Sequence, residues 1–213
     1  MNIQKLLLFD FDGVIADSMG LVRVFYNKIH KKYNLPYAYD ERDISKLFYK
    51  NVYEGLADAG LAPEKARAFL DDMKKMTFEN ETLYEPFDGI EEVLRTLHND
   101  NNLMGIISSN HTTIIETFLK KHNFASLFNH LHGAEEKTSK VEKIKQSMNN
   151  LHFKRTNTYY IGDTVGDIKE GKEAKVHTVG VSWGYHDKKD LENAQPTFLF
   201  TKPAQLLELS KVP

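Results

Sequence analysis

Short apolar runs that stop abruptly at a polar residue recur along this 213-residue chain: Leu6 to Phe9 into Asp10, Leu103 to Ile107 into Ser108, and Thr158 to Ile161 into Gly162-Asp163. A continuous apolar run bounded by a turn signal predicts a strand buried on both faces, the pattern of a parallel sheet. Between the first and second runs the pattern changes to helical spacing. Leu21, Val24, Phe25, Ile29 and Tyr33 form one stripe, over residues 18–33 and ending before Pro36. Residues 40–55 repeat it through Ile44, Leu47, Phe48 and Val52, and residues 63–82 through Ala66, Phe69, Leu70, Met73 and Met76. Pro63 suits the first helical position there. The spacing predicts about four helices over residues 15–85 and no convincing strand.

From Pro86 onward helical and strand patterns alternate. Helices are predicted over 88–97, 112–122, 139–149 and 167–174, with further strands at 127–132, 176–181 and 197–200. Strand–helix repeats require right-handed crossovers and a parallel sheet covered by helices on both faces. The predicted fold is therefore α/β: a Rossmann-like three-layer α/β/α parallel-sheet core of residues 1–14 and 86–213, with a helical domain of residues 15–85 inserted after the first strand as a lid.

Composition narrows the function classes. Hydrophobic residues make up 41% and charged residues 27%, as in an ordinary soluble globular protein. A net charge of -2 offers no overall attraction to nucleic acid or to an anionic membrane. The chain has no cysteine, which excludes disulfides, thiol nucleophiles and cysteine zinc sites. The first apolar run is too short for a signal peptide or a membrane span, so a cytoplasmic location is expected.

Three predicted strand ends carry polar residues, at Asp10, Ser108 and Asp163, and open α/β sheets place their ligands at the carboxyl ends of strands. Asp10 and Asp12 sit together at the first strand end, where like charges invite a divalent cation. Gly13 lets the backbone turn sharply next to a ligand. An aspartate can attack phosphorus once the substrate's charge is neutralised, and Asp12 can serve as general acid and then base. Asp163 and Asp167 supply further carboxylate, and the four acidic groups suit one octahedral Mg²⁺. Ser108, with Ser109 and Asn110, can donate to phosphoryl oxygens. A phosphate-binding cation is expected among Lys137, Lys140, Lys143 and Lys145, with Lys140 favoured over Lys137. Lys143 and Lys145 read as a solvated helix face.

Taken in order, Asp10-Phe-Asp12-Gly13, Ile106-Ile-Ser108, Lys140 and Gly162-Asp163-Thr-Val-Gly-Asp167 resemble the motifs of the haloacid dehalogenase-like superfamily of phosphohydrolases. The resemblance spans nearly the whole chain. It implies that Asp10 is the nucleophile and Asp12 the general acid/base, that Ser108 and Lys140 bind phosphate, and that Asp163 and, through water, Asp167 hold Mg²⁺. The insert after the first strand is similar to the family's α-helical cap, and Gly180-Val-Ser-Trp183-Gly184-Tyr185 resembles the late loop of phosphoglycolate-phosphatase-like members.

Asp12 argues for phosphoryl transfer, because dehalogenases of the family lack an acid/base aspartate there. Lys28, Lys31 and Lys32 stand where a phosphonatase carries its Schiff-base lysine, and read as surface residues. A sugar phosphomutase of the β-phosphoglucomutase type is the rival. Residues 44–51 lack the glycine and arginine of the cap loop that those mutases share. A module that binds phosphate or metal without turnover is a third reading. Arg23, Arg42, Lys46 and Lys50 are candidate contacts for an anionic leaving group, and Tyr26, Phe48, Tyr49 and Tyr53 for the pocket wall. His30, His111, His122 and His152 read as surface or packing residues, His111 alone lying near the phosphate loop. The expected partner is a small phosphorylated metabolite, with the protein a monomer or homodimer.

Overall fold

The computed structural model describes residues 4–48, 52–136 and 138–212. Its centre is a six-stranded, wholly parallel sheet. The strands are β1 (Leu6–Phe9), β2 (Leu103–Ile107), β3 (His130–His132), β4 (Thr158–Gly162), β5 (His177–Val181) and β6 (Phe198–Phe200), in spatial order β3-β2-β1-β4-β5-β6. After β1 the chain builds outward through β2 and β3, then returns to the other side of β1 for β4, β5 and β6. The order therefore reverses between β1 and β4, the crevice where such sheets bind ligands.

The helices are α1 (Met19–Ile29), α2 (Glu41–Ser45), α3 (Val52–Asp58), α4 (Pro63–Glu79), α5 (Ile90–Asn99), α6 (Thr112–Lys121), α7 (Lys140–Asn150), α8 (Val165–Ala174) and α9 (Lys188–Ala194). Alternate β1 residues face opposite ways. Leu7 and Phe9 pack with residues of α5, α6 and the C-terminal 3-10 segment Pro203–Lys211, whereas Leu6 and Leu8 pack with Val141, Ile144, Tyr160 and Ala174. All four β1 residues are fully buried, which is why the strand reads as an unbroken apolar run. The buried Lys5 ammonium donates to Leu209 O at 2.6 Å and Val212 O at 2.5 Å, tying the C-terminal segment to the start of β1.

Helices α1 to α4 form a separate apolar cluster built on Met19, Tyr26, Tyr33, Leu56 and Phe69, against which Tyr185 of the β5–α9 loop packs. Two chain crossings join this layer to the sheet, and they pair with each other. Ala16 bridges Pro86 antiparallel, Asp17 N–H donates to Glu85 O at 2.9 Å, and Phe87 N–H to Ile15 O at 3.1 Å. A two-stranded ribbon thus links the helical layer to the carboxyl edge of β1.

Several elements differ from the sequence expectation. Residues 40–55 do not form one helical stretch: α2 gives way to a 3-10 turn at Lys46–Phe48 and α3 follows. Gly55 of α3 packs so closely on the Leu47 backbone that a Cβ there would lie 2.3 Å from Leu47 O. Helix α8 starts at Val165 rather than Asp167, because Thr164 and Asp167 form a capping box. Strand β3 begins at His130, with Leu127 in a 3-10 turn. Helix α9, capped by Asp187, and the Pro203–Lys211 segment were not anticipated. Among the described residues no helix is long and apolar enough to cross a membrane.

The β3 edge contains a half-buried imidazole with a consequence for stability. His130 Nε2 bonds Ser147 Oγ at 2.7 Å, its Nδ1 is buried without a partner, and the His132 ring lies 5.3 Å away. Burial, then His132, push its pKa down to about 4, with only Glu136 opposing. The unfolded chain takes up this proton near pH 6.5 and the folded one does not. The stability this residue contributes is therefore complete above pH 6.5 and is lost as the pH falls from 6.5 toward 4. Urea titrations at pH 7 and pH 4.5 are expected to show a larger drop for wild type than for His130→Gln. Equal drops contradict the assignment.

Candidate active site

Three strand ends and one helix start converge on the crevice between β1 and β4. Asp10 follows β1 directly, and its N–H still pairs with Ile161 O at 2.8 Å, so the sheet fixes its backbone. Its Oδ1 accepts the Phe11 N–H at 2.7 Å and its Oδ2 accepts the Lys140 ammonium at 2.7 Å. The chain then turns tightly: the N–H groups of Ile15 and Ala16 both donate to Phe11 O at 3.0 Å, and Gly13 N–H to Ala16 O at 2.9 Å. Gly13 has φ +76°, and a Cβ there would fall 2.0 Å from Asp163 Oδ2. Both the left-handed backbone and the neighbouring carboxylate require glycine.

Phe11 points into the core against Tyr84 and Phe118, which turns Asp12 toward the edge of the sheet. Asp12 Oδ2 accepts the Asn110 side-chain amide at 3.0 Å. Burial raises the Asp12 pKa, opposed by the hydroxyl of Ser18, the Asn110 amide and Lys140.

Asp163 lies after β4 and is 1% exposed. Its Oδ2 accepts the Tyr185 N–H at 2.7 Å, and its Oδ1 is buried with no hydrogen-bond partner. Asp167 is saturated. Its Oδ1 accepts Lys140 Nζ at 2.7 Å and the Tyr160 hydroxyl at 2.9 Å, while its Oδ2 accepts the Thr164 N–H at 3.0 Å and the Thr164 hydroxyl at 2.5 Å.

Lys140, the first residue of α7, therefore bridges Asp10 and Asp167 at 2.7 Å each. Despite the penalty of burial, the two carboxylates hold its ammonium charged, well above the usual lysine range. In return Lys140 keeps Asp167 below the ordinary carboxylate range. Burial outweighs the same ammonium at Asp10, whose pKa is pushed up to about 7. Asp163 is pushed well up by burial and by the charges of Asp167 and Asp10.

Carboxylate oxygens of Asp10, Asp163 and Asp167 all lie within 4.8 Å of one another. Asp163, one of the three, keeps its Oδ1 buried without a hydrogen-bond partner. An all-oxygen, anionic donor set with an unused buried oxygen fits a hard divalent cation such as Mg²⁺.

Ser108 ends β2, is 1% exposed, and donates its N–H to His132 O at 2.9 Å. Its hydroxyl accepts the Asn110 N–H at 2.9 Å. Ser109 is exposed, and Asn110 directs its amide to Asp12. Lys137, Tyr49 and Lys50 lie outside the described residues. Of the remaining candidates in the helical layer, Arg23 donates to Tyr39 O, Lys46 pairs with Asp43, Arg42 and Tyr53 are exposed, and Tyr26 is buried among the helices of that layer. Phe48 alone reaches toward the site, 5.0 Å from the Tyr185 ring. His111 bonds Glu135 through Nδ1 at 2.8 Å and lies 5.1 Å from Phe78 of α4, so it touches both layers.

Lys143 corrects the sequence reading. It is 3% exposed, not solvated, and its ammonium donates to Ser108 O at 3.0 Å and Gly133 O at 2.7 Å. It braces the loop after β2 from below, whereas Lys145 is exposed as expected. The signal was available: Lys140, Lys143, Ile144 and Ser147 share one helical face. Sequence reasoning also missed Ser18 and the support that Tyr160, Thr164 and Tyr185 give the carboxylates. Only the Thr164…Asp167 spacing advertised itself, as a capping box.

Comparison with known proteins shows the family and the fold. The family model described as haloacid dehalogenase-like hydrolase matches residues 7–181. A phosphoglycolate phosphatase of Synechococcus elongatus is 27% identical over 205 residues, covering 96% of each chain. A pyrophosphatase PpaX of Listeria monocytogenes is 24% identical, covering 95% of this chain and 94% of its own. A haloacid dehalogenase-like family hydrolase from Streptococcus pneumoniae superposes with a TM-score of 0.84 at 20% identity, covering 98% and 99% of the two chains, which shows the shared fold.

Replacing Lys143 by Met leaves two buried carbonyls without their charged donor. We expect a loss of about 1.5–3 kcal/mol in urea denaturation, and a change within about 0.5 kcal/mol for Lys145→Met. Equal, small effects contradict the bracing role.

Proposed function

Since this chain belongs to the haloacid dehalogenase-like hydrolases, we propose that it is a Mg²⁺-dependent phosphatase that hydrolyses a small phosphate monoester through a phosphoryl group carried on Asp10. The observation that carries this reading is Lys140 bridging Asp10 and Asp167 beside the orphaned Asp163 Oδ1. Asp10 is held by the sheet backbone within this cluster, and Asp163 keeps one oxygen free for a cation.

Asp10, Asp163 and, through water, Asp167 would hold Mg²⁺, which when bound would supply the positive charge that lets a carboxylate approach an anionic phosphate. Lys140 and the Ser108 hydroxyl orient the phosphoryl oxygens, with Lys143 holding the Ser108 backbone in place. An Asp10 oxygen forms the new bond to phosphorus as the bond to the leaving oxygen breaks, and Asp12 gives that oxygen its proton. Asp12 then takes a proton from water, whose oxygen attacks phosphorus and releases phosphate, restoring the Asp10 carboxylate. Asn110, which donates its side-chain amide to Asp12, orients it for both steps.

Residues 15–85 serve in this reading as a cap over the carboxyl edge of the sheet, moving on the paired linkers at residues 15–17 and 85–87 to admit and release substrate. A phosphoglycolate phosphatase and a pyrophosphatase among the relatives favour a small anionic substrate. A cytoplasmic monomer or homodimer acting on a phosphorylated metabolite is the setting that goes with it.

The test is phosphate release from phosphoglycolate, sugar phosphates, nucleoside monophosphates, pyrophosphate and 4-nitrophenyl phosphate. Wild type with Mg²⁺ is expected to turn over at least one, with activity lost in EDTA and lowered at least about 10³-fold in Asp10→Asn, which removes the attacking carboxylate. Undiminished release by Asp10→Asn, or release indifferent to EDTA, contradicts the proposal.

A further inference from the structure

Asp163 has two oxygens in unlike surroundings. Its Oδ2 accepts the Tyr185 N–H at 2.7 Å, while its Oδ1 is buried without a hydrogen-bond partner. The terminal torsion of an aspartate is broad and roughly two-fold, so nothing in the side chain itself holds one oxygen in one place. The restraint has to come from outside the residue.

The loop between β5 and α9 supplies it. A Cβ at Gly184 would lie 2.4 Å from Asp163 Oδ2 and 2.3 Å from Gly13 O. Gly13 approaches the same carboxylate oxygen from the turn after β1, where a Cβ would lie 2.0 Å from it. Two glycine backbones therefore pack against Oδ2 while the Tyr185 amide binds it.

The segment is fastened on both sides of that contact. The Trp183 indole N–H donates to Val14 O at 3.2 Å, which ties one end to the turn that carries Gly13. An indole has a single donor and no acceptor, so this bond is the one polar restraint the Trp183 side chain can supply. Its ring packs against the main core cluster. At the other end His186 N–H donates to Asp163 O at 3.3 Å, and His186 Nδ1 accepts the Val165 N–H at 3.0 Å. Residues 183–186 thus form a short strap from the turn after β1 to the start of α8, laid across Asp163.

We propose that this strap is a positioning element for Asp163, which engages Oδ2 and leaves Oδ1 to a divalent cation, with Trp183 and Gly184 as its positioning residues. The inference rests on the proposed Mg²⁺-dependent reading of the site. Contacts that orient a ligating carboxylate contribute to the hold on a metal although they never touch it. The strap also fastens Asp163 to the turn that follows Asp10, so two carboxylates from different strand ends are spaced by it as well as by the sheet.

The test measures Mg²⁺ binding by isothermal titration calorimetry on the full chain without substrate, so the readout does not depend on turnover. Wild type, Asp163→Asn, Trp183→Phe, Gly184→Ala and Asn102→Ala are compared, with thermal midpoints taken in EDTA. Gly184→Ala crowds Oδ2 and is expected to weaken Mg²⁺ about 10- to 100-fold, the usual effect of disturbing the support of a metal ligand. Trp183→Phe keeps a ring and loses the N–H, and is expected to weaken Mg²⁺ at least about threefold. Asn102 lies before β2, at the opposite edge of the sheet, and donates to Leu97 O at 2.9 Å. Asn102→Ala is expected to lower the thermal midpoint and to leave the Mg²⁺ Kd within about twofold, as distant sites act independently.

Trp183→Phe and Gly184→Ala variants that bind Mg²⁺ as wild type does, while Asp163→Asn does not, overturn the strap and leave the phosphatase reading standing. An Asn102→Ala variant weakened as much as Trp183→Phe overturns it too, because lost stability would then account for both. If Gly184→Ala fails to fold, Trp183→Phe against Asn102→Ala decides. A wild type that binds no Mg²⁺, or an Asp163→Asn variant that binds it unchanged, overturns the reading of the site and the inference with it.

Discussion

One ammonium set among three buried carboxylates governs this molecule. Lys140 satisfies Asp10 and Asp167 directly, and Asp163 stands beside them with an oxygen that nothing satisfies. Leaving one partner of a buried ion pair uncompensated typically costs about 3–5 kcal/mol, so the arrangement is held together by the fold around it. The sheet backbone fixes Asp10, the capping box of α8 fixes Asp167, and the Tyr185 amide fixes Asp163. Each restraint comes from a different strand end, and β1 and β4 are neighbours because the strand order reverses between them. Chemistry and topology meet at that crevice.

The deficit of positive charge is what makes the site useful. Burial raises the cost of every carboxylate charge, and a single lysine offsets only part of it. A site left short of positive charge and furnished with oxygen ligands favours a divalent cation and, with it, an anionic substrate. The helical layer sits across this opening and is joined to it by a paired ribbon rather than a single strand. Asn110 on the loop after β2 donates its side-chain amide to Asp12.

The residues that meet at the candidate site were legible because each ends an apolar run. Asp10, Ser108 and Asp163 follow strands whose burial on both faces leaves an unmistakable pattern, and the parallel sheet follows from the strand–helix alternation. What escaped has physical reasons as well. Lys143 looked solvated because four lysines crowd one interval, and only its burial, directed at two carbonyls, distinguishes it from Lys145. Tyr185 and Ser18 are 167 residues apart in sequence, and no periodicity links a loop tyrosine to a helix cap. The break between α2 and α3 was hidden because apolar spacing continues across it, while the close approach of Gly55 to Leu47 is a tertiary fact.

The central claim is that Asp10 becomes covalently phosphorylated. Its most direct test is rapid acid quench of Mg²⁺-loaded enzyme during turnover of 4-nitrophenyl phosphate, followed by mass spectrometry of the peptide containing residues 6–23. The account predicts one added phosphoryl group on Asp10, removed by hydroxylamine as an acyl phosphate is, and absent from Asp10→Asn. Turnover with no phosphoryl group on that peptide, or one on a serine or histidine elsewhere, would contradict it.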